Sequence, residues 1–140
     1  MGQAGLERRE NDGHVFMTPY QEELRPAKKI VAKLLEGKDF ESVLEIGAQW
    51  GENLVAIREK FPNKKIVGLD KNVDGILDEA RTVSQIDLRL GDVLDNNFHD
   101  KEFDVVFTNA LMCMLEPEQV EKALSEIIRI ANKYIILIEL

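Results

Sequence analysis

Glycine and acidic residues stand in the middle of this 140-residue chain where their types and spacing suit ligand binding. The first group lies in the segment EIGAQWGEN over residues 45–53, with Glu45 at its start and Gly47 and Gly51 inside it. Gly47 permits close approach of the backbone to a ligand, and Gly51 stands where a helix would begin, whose free N–H groups attract an anion. An ordinary strand-to-helix turn also explains these glycines, because short glycine motifs are weak evidence.

Two further acids follow later apolar runs. Asp70 ends the run IVGLD, where a carboxylate can accept two hydrogen bonds from ribose hydroxyls, although it could instead cap a following helix. Asp92 follows Gly91 and precedes Val93, where it could accept from an adenine amino group or simply form a turn. Three acids after three successive runs, with a glycine turn after the first, together indicate a nucleoside-containing ligand.

The residues of the glycine turn discriminate between nucleoside ligands. A dinucleotide such as NAD favours the second glycine of G-x-G-x-x-G, where this chain has Gln49, so NAD is disfavoured. S-adenosylmethionine offers a single carboxylate to the helix N-terminus, and its cationic ammonium and sulfonium tolerate an acid such as Glu45. The residues therefore favour S-adenosylmethionine as cofactor, with S-adenosylhomocysteine as its product.

Apolar periodicity predicts the elements that position these residues. The predicted strands cover residues 42–46, 65–69, 86–90, 103–107 and 134–138, and the predicted helices run from Pro26 to a stop at Gly37, from Glu52 to Phe61, from Val73 to Thr82 and from Pro117 to Ala131. The inward positions are Ala27, Ile30, Val31, Leu34 and Leu35 on the first helix, Leu54, Val55, Ile57 and Phe61 on the second, and Val120, Leu124, Ile127 and Ile128 on the last. Right-handed crossovers then give a doubly wound, Rossmann-like α/β fold, with a mainly parallel sheet of about five strands and helices on both faces. Ligands bind such folds at the carboxyl ends of the strands.

Composition excludes several other classes of protein. The 44% hydrophobic and 31% charged residues are typical of one soluble globular domain, with residues 1–19 as a flexible arm or lid and residues 20–140 as the folded domain. The net charge of −8, without a basic patch, disfavours nucleic acid. One cysteine and two histidines without zinc spacing predict no metal site, and no apolar run suits a membrane span. We expect a cytoplasmic protein.

The motifs LEIGAQWGENL, IVGLDKN, LRLGDVLD and FDVVFTNALMCMLEPEQ resemble those of class I S-adenosylmethionine-dependent methyltransferases, from about residue 40 to the end. The resemblance implies that residues 45–53 cradle the methionine part, that Asp70 holds the ribose, that Asp92 and Val93 hold the adenine, and that residues 109–111 line the methyl-transfer site. The predicted cofactor-binding residues are Glu45, Gly47, Ala48, Gln49, Gly51, Asn53, Asp70, Lys71, Asp92, Val93, Asn109 and Ala110. The later part of the chain is most similar to small-molecule methyltransferases of surface-sugar biosynthesis.

The chain departs from the family pattern in three places. Gln49 replaces the middle glycine of the commoner motif, and Met114 stands where many relatives carry a histidine. The family sheet adds two strands after the fifth, whereas this chain stops at Leu140. The fifth strand is therefore expected to be an apolar edge that pairs with a second copy or a partner chain, or that a longer natural chain covers.

Methyl transfer is an in-line displacement that depends on positioning more than on acid–base catalysis. Asn109 is the favoured positioning residue, and His14, Tyr20 and His99 are candidate bases that could equally be surface or packing residues. Trp50 could stack on the ligand but is expected to cover the first helix of the site, and residues 112–114 are expected to pack in the core. The leading hypothesis is methyl transfer to a small-molecule or sugar acceptor. The alternative is a non-catalytic cofactor-binding or interaction module.

Overall fold

The computed structural model describes residues 29–48, 51–71 and 86–139 of the chain. Its elements are helix α1 (Ile30–Leu34), strand β1 (Ser42–Ile46), helix α2 (Glu52–Lys60), strand β2 (Lys65–Asp70), strand β3 (Ile86–Leu90), strand β4 (Phe103–Asn109), a 3-10 turn (Met112–Met114), helix α3 (Pro117–Ile130) and strand β5 (Ala131–Ile138). The predicted arm, the predicted helix from Val73 to Thr82 and Trp50 lie outside the described residues. No helix within the described segments has both the length and the apolar character needed to span a membrane.

The five strands form one sheet in the order β3-β2-β1-β4-β5, with every pair parallel. Leu44 in the middle of β1 pairs with Val67 on β2 and with Val106 on β4. The chain builds the sheet outward from β1 to β3, then crosses back to place β4 on the other side of β1. This reversal of strand order confirms the predicted doubly wound α/β fold, and it creates a crevice beyond the carboxyl ends of β1 and β4.

Successive side chains of the central strands enter two separate cores, one on each face of the sheet. Val43 of β1 packs in the core that includes the buried residues of α1 and α2, whereas its neighbour Leu44 packs in the core that includes those of α3. Both cores contain fully buried residues from β1, β2 and β4. Because both faces of these strands are covered, their sequences are mostly apolar, as is typical of buried parallel strands, with Glu45 inside β1 and Asp104 inside β4 as acidic exceptions.

The buried stripe of α3 differs from the predicted one. Ile128 was expected to face inward, but it is 65% exposed, and the buried residues are Ala123, Ile127 and Ile130. Their spacing of four and then three residues still gives a single helical face. Ala123 is fully buried on this face, and a search for large apolar residues overlooks so small a side chain.

Helix α1 also presents a rotated face. Val31, Ala32 and Leu35 are buried there, whereas Ile30 and Leu34, both predicted to face inward, are substantially exposed. At the other end of the chain, α3 runs directly into β5 at Ala131 without a connecting loop. The predicted strand over 134–138 therefore begins three residues earlier, and β4 extends two residues further than predicted, to Asn109.

Gly68 on β2 allows α2 to pack closely on the sheet. A Cβ atom at this position would lie 2.6 Å from Leu54 Cδ1 and 3.0 Å from the Cβ atom of Ala48. Leu54 is fully buried, so its side chain has little room to move away.

We expect Gly68→Ala to lower the free energy of unfolding by about 1–3 kcal/mol, the usual cost of overpacking a core. Alanine also lowers the conformational entropy of the unfolded chain, which stabilises the folded state by ~0.4–1 kcal/mol, and the cost of overpacking exceeds this gain. Urea denaturation measures the change. In the Gly68→Ala background, Leu54→Ala should cost less than it does alone, because it removes the clashing atom. Equal or higher stability of Gly68→Ala by itself would contradict this account of the packing.

Strand β5 lies at the edge of the sheet, as predicted. Ile135 and Leu137 on its α3-side face are 41% and 45% exposed, whereas Ile136 packs against the core on the α2 side. A dimer or partner chain along this edge remains a prediction. The exposed side chain of Ile135 is the position at which a substitution tests it.

Ile135→Lys places a charge on the exposed face of β5, so it should dissociate a dimer formed through this edge while leaving the free energy of unfolding within about 0.5 kcal/mol of the wild type. Ile136→Lys is the contrasting variant, because a charge against the core should destabilise the fold itself. Light scattering and urea denaturation separate the two effects. A wild type that stays monomeric at high concentration would argue against edge pairing between copies.

Candidate functional site

A cavity of about 300 Å³ opens where β1, β2, β3 and β4 end. Its size is at the lower end of the range for small-ligand pockets, about 300–1,000 Å³. The cavity is lined by Ile46, Gly47, Leu69, Asp70, Lys71, Gly91, Asp92, Val93, Asn109, Ala110, Leu111, Met114 and Leu115. All four strands therefore contribute residues at or just beyond their carboxyl ends, as the parallel topology requires.

The turn after β1 is anchored to the neighbouring strand. The N–H groups of Gly47 and Ala48 both donate to the carbonyl oxygen of Leu69, at 2.7 and 3.1 Å. Gly47 has a φ of 78°, in the left-handed region that favours glycine, and a Cβ atom there would lie 3.2 Å from Leu111 Cδ1. Backbone geometry and the facing side chain thus both favour glycine at this wall of the cavity.

Gly51 is the N-cap residue of α2 and also has a left-handed conformation, with a φ of 80°. Its N–H group donates to Ala48 O at 2.9 Å, which closes the turn. The first turn of α2 follows directly, so the helix N-terminus is directed towards the same end of the sheet as the cavity. Gln49 and Trp50, between these two anchor points, lie outside the described residues.

Glu45 and Asn53 form a buried polar pair below this turn. Glu45 is 1% exposed and lies on the α2 side of β1, where Asn53 Nδ2 donates to its Oε1 atom at 2.8 Å. Within the described segments, Asn53 Oδ1 is buried without a hydrogen-bond partner. A buried acceptor in that state is costly, so it is a candidate to receive a donor from a bound group.

Asp92 forms part of the cavity wall and also stabilises its own turn. Its Oδ1 atom accepts from the N–H of Leu94 at 2.9 Å, and its Oδ2 atom lies 3.2 Å from Lys71 Nζ. Partial burial raises the pKa of this carboxyl, but the bonds from Leu94 and Lys71 outweigh it, and the pKa lies below its ordinary value. Asp92 therefore carries its negative charge into the cavity at neutral pH. Asp70, on the adjacent strand, lines the same space.

A polar network fixes the segment that follows Asp92. Asn96 Nδ2 donates to Val93 O at 2.9 Å and to Glu126 of α3 at 2.8 Å. Arg129 of α3 bonds the same glutamate and also donates to Phe98 O at 2.6 Å. The bond from Arg129 is the main reason that the pKa of Glu126 is lowered. Helix α3 thereby holds in place the backbone next to Asp92 and Val93.

The segment after β4 forms the opposite wall of the cavity. Asn109 and Ala110 line it together with Leu111. The prediction that residues 112–114 pack in the core holds for Met112, but it is wrong for Cys113, which is exposed, and for Met114, which is 76% exposed at the cavity rim. Its thioether lies at the strand-end crevice rather than between the sheet and a helix of the described segments.

The predicted site residues fall into three groups. Those that line the cavity are Gly47, Asp70, Lys71, Asp92, Val93, Asn109 and Ala110. Those in or below the turn after β1 are Glu45, Ala48, Gly51 and Asn53. Those outside the described residues are Gln49, His14 and Tyr20.

The candidate base His99 does not line the cavity, which corrects its assignment as a possible base there. It is exposed in the loop just before β4, and its carbonyl oxygen accepts from Glu102 N–H at 3.3 Å. Residues that precede a parallel strand lie at its amino end, away from the crevice. Within the described segments, no cluster of three or more His, Cys, Asp or Glu side chains could hold a metal ion.

Sequence reasoning missed several apolar residues of the cavity wall, namely Ile46, Leu69 and Leu115. The strand-end positions of Ile46 and Leu69 were a usable signal, because ligands of such folds bind at the carboxyl ends of the strands. Sequence reasoning also missed the role of Glu139, which contacts the backbone of this wall from beyond β5.

Comparison with solved structures shows which known proteins have a similar fold. A proposed S-adenosyl-L-methionine-dependent methyltransferase of Methanococcus maripaludis superimposes with a TM-score of 0.68 at 20% identity, over 95% of this chain and 68% of that one. Phosphoethanolamine N-methyltransferase 1 of Haemonchus contortus, solved with phosphoethanolamine and S-adenosylhomocysteine, gives 0.65 at 22% identity, over 83% of this chain and 26% of that one. The plantazolicin methyltransferase BpumL, solved with a desmethylated plantazolicin analogue and S-adenosylhomocysteine, gives 0.68 at 20% identity, over 88% and 48%.

These likenesses show a common fold, and this chain spans less than half the length of two of the three proteins. No curated protein sequence matches the chain. The family model described as "Methyltransferase domain" matches residues 43–133, which is more than half of the chain and includes β1, α2, the cavity and α3. The chain therefore belongs to the methyltransferase domain family.

Proposed function

We propose that this domain binds S-adenosylmethionine in the strand-end cavity and transfers its methyl group to a small-molecule or sugar acceptor. The observation that carries the proposal is the convergence of Gly47, Asp70 and Asp92, which belong to three different strand ends, on one cavity. Two methyltransferases of the same fold were solved with S-adenosylhomocysteine, which supports the same cofactor class here.

The charges of the cavity wall fit a nucleoside without phosphate. Asp70 and Asp92 both present carboxylates, and Lys71 is the sole cationic residue of the wall in the described part of the chain. Lys71 pairs with Asp92, so its charge is already largely compensated. The Lys71–Asp92 pair is close to neutral, so Asp70 leaves the wall with a net negative charge, which disfavours a pyrophosphate and does not repel a cationic sulfonium compound.

Each strand end has a role in holding such a cofactor. Asp70 accepts hydrogen bonds from the ribose hydroxyls, and Asp92 with the backbone of Val93 takes the adenine. The turn from Gly47 to Gly51 receives the methionine part, with Asn53 Oδ1 as a further acceptor below it. When bound, the sulfonium of the cofactor supplies the methyl group.

The main task of the protein in such a reaction is positioning. In-line displacement needs the acceptor atom and the methyl carbon to be aligned, and holding them aligned removes much of the entropic barrier. Asn109 and Leu111 stand on the wall opposite Asp70 and are placed to orient an acceptor. His14 and Tyr20 remain candidate bases for an acceptor that must lose a proton.

A second candidate function is cofactor binding without catalysis. The observation that favours it is the apolar rim on the acceptor side, formed by Leu111, Met114 and Leu115. Within the described segments this part of the wall carries no titratable side chain. Tight binding of S-adenosylhomocysteine without methyl transfer to any acceptor in a broad panel would favour this second function.

We expect S-adenosylhomocysteine to raise the melting temperature of the domain, and NAD to leave it unchanged. With ligand at ~100 times its dissociation constant, preferential binding to the folded state adds about 2.7 kcal/mol of stability. Differential scanning fluorimetry detects a change of this size. The absence of any shift at millimolar S-adenosylhomocysteine would remove the cofactor from the proposal.

Asp70→Ala should weaken S-adenosylhomocysteine binding by about 1.5–3 kcal/mol, the usual value for hydrogen bonds to a charged group. Asp87→Ala is the matched control, because Asp87 is an exposed acid on the adjacent strand β3 that pairs with Arg89 on the surface. Its removal should leave the affinity unchanged. Calorimetry that found equal affinities for the two variants would move the ribose site away from Asp70.

Gly51→Val should abolish measurable binding, because a branched side chain is strained at a φ of 80° and distorts the turn. Gly37→Val matches it in backbone strain, since Gly37 has a φ of 72° and no atom within 4 Å of its Cβ position. Both variants should therefore lose stability. If both retained the wild-type affinity, the turn after β1 would not be part of the site.

A further inference from the structure

Glu139 follows the last residue of β5 and contacts the segment that leaves β4. Its carboxylate accepts hydrogen bonds from Thr108 Oγ1 at 2.7 Å, from the N–H of Met112 at 3.0 Å and from the N–H of Leu111 at 3.3 Å. Thr108 is fully buried, and Glu139 is partly buried. One carboxylate thus bridges the end of β4 and the first turn beyond it.

The bridged segment has an unusual backbone conformation. Ala110 has a φ of 57°, in the left-handed region that residues with a Cβ atom rarely adopt. Its N–H donates to Ile138 O at 2.7 Å, and its carbonyl oxygen accepts from Cys113 Sγ at 3.2 Å. Such a conformation persists only when neighbouring groups hold it. The end of β5 supplies these groups through Ile138 and Glu139.

We propose that Glu139 is a positioning residue, whose carboxylate holds the 109–115 segment in the conformation that forms the acceptor-side wall of the cavity. Leu111 links Glu139 to the ligand space, because it lines the cavity and its Cδ1 atom would lie 3.2 Å from a Cβ atom at Gly47, so the two residues pack together in the cavity wall. Its effect on ligand affinity rests on the proposed function, whereas its effect on the backbone does not.

The chemistry of the three donors explains why a glutamate stands here. A hydroxyl and two backbone N–H groups all require acceptors, and an ionised carboxylate offers acceptor sites on both oxygens. A glutamine would present its NH₂ group to one of these donors and lose that bond. Hydrogen bonds to a charged acceptor are also stronger than those to a neutral one.

Hydrogen exchange in the ligand-free protein tests the proposal without reference to function. In Glu139→Ala, we expect the amides of Leu111 and Met112 to exchange at least about 10-fold faster, since each loses its charged acceptor. Glu139→Gln should fall between this variant and the wild type. The amides of β1 and β2 should be unchanged, and a general loss of stability would accelerate those as well. Unchanged protection at Leu111 and Met112 would overturn the proposal.

Two controls keep the test decisive. Glu121→Ala removes an exposed acid of α3 that is not part of the bridge, and it should leave exchange at Leu111 and Met112 unaltered. If Glu139→Ala does not fold, Thr108→Val removes one donor at nearly constant shape and should also speed exchange at these amides. Thr108→Ser keeps the hydroxyl and should restore their protection, and failure of this rescue would overturn the proposal.

Calorimetry with S-adenosylhomocysteine then tests the effect on the cavity. We expect Glu139→Ala to weaken binding by about 10-fold, the change produced by loss of one hydrogen bond to a charged group, and Glu121→Ala to bind like the wild type. Faster exchange with unchanged affinity would overturn the positioning role. If the wild type itself does not bind, the proposed cofactor fails, and the exchange results alone still decide whether Glu139 holds the wall.

Discussion

The parallel pairing of β1 with β2 on one side and with β4 on the other is the constraint on which the rest of the structure depends. Ile46, the last residue of β1, pairs with Leu69 and with Thr108, so these three strands finish at nearly the same level. Asp70 pairs in turn with Leu90 at the end of β3. Residues far apart in the sequence therefore meet at one edge of the sheet. The register is strongly specified, because a slip of one residue would turn every side chain of a strand to the other face.

This register depends on the two cores, and the cores in turn shape the site. Gly68 lets α2 approach β2 closely, which brings Asn53 of that helix against Glu45 in an otherwise apolar face. A buried carboxylate is tolerated there because it is hydrogen-bonded. Helix α3 holds the backbone after Asp92 through Asn96. Packing on both faces of the sheet thus positions the cavity residues through two polar side chains, Asn53 and Asn96.

Sequence patterns predicted the elements well where the signal was local. The apolar runs of β1 and β2, the Pro117 start of α3 and the glycines of the turn after β1 each depend on a few neighbouring residues. The orientation of Ile128 was not predictable in this way, because the buried face of α3 includes the small residue Ala123, which a pattern of large apolar residues does not reveal. The contacts of Glu139 with Thr108 and Met112 depend on the register between β4 and β5, which a single sequence does not show. Met114 was also misplaced, because only the tertiary structure shows that it lies at the rim of the cavity.

The central claim is that the strand-end cavity is where the cofactor binds, and titration of the 15N-labelled protein with S-adenosylhomocysteine, followed by NMR, tests it most directly. The predicted result is that the amide signals of Gly47, Gly91, Val93 and Ala110 shift together and saturate with one dissociation constant. Amides at the amino ends of the strands, such as that of Lys101, should stay in place. Saturable shifts confined to another surface, for example the groove between α1 and α2 that Lys33 and Glu59 line, or no shifts at all at millimolar ligand, would contradict this claim.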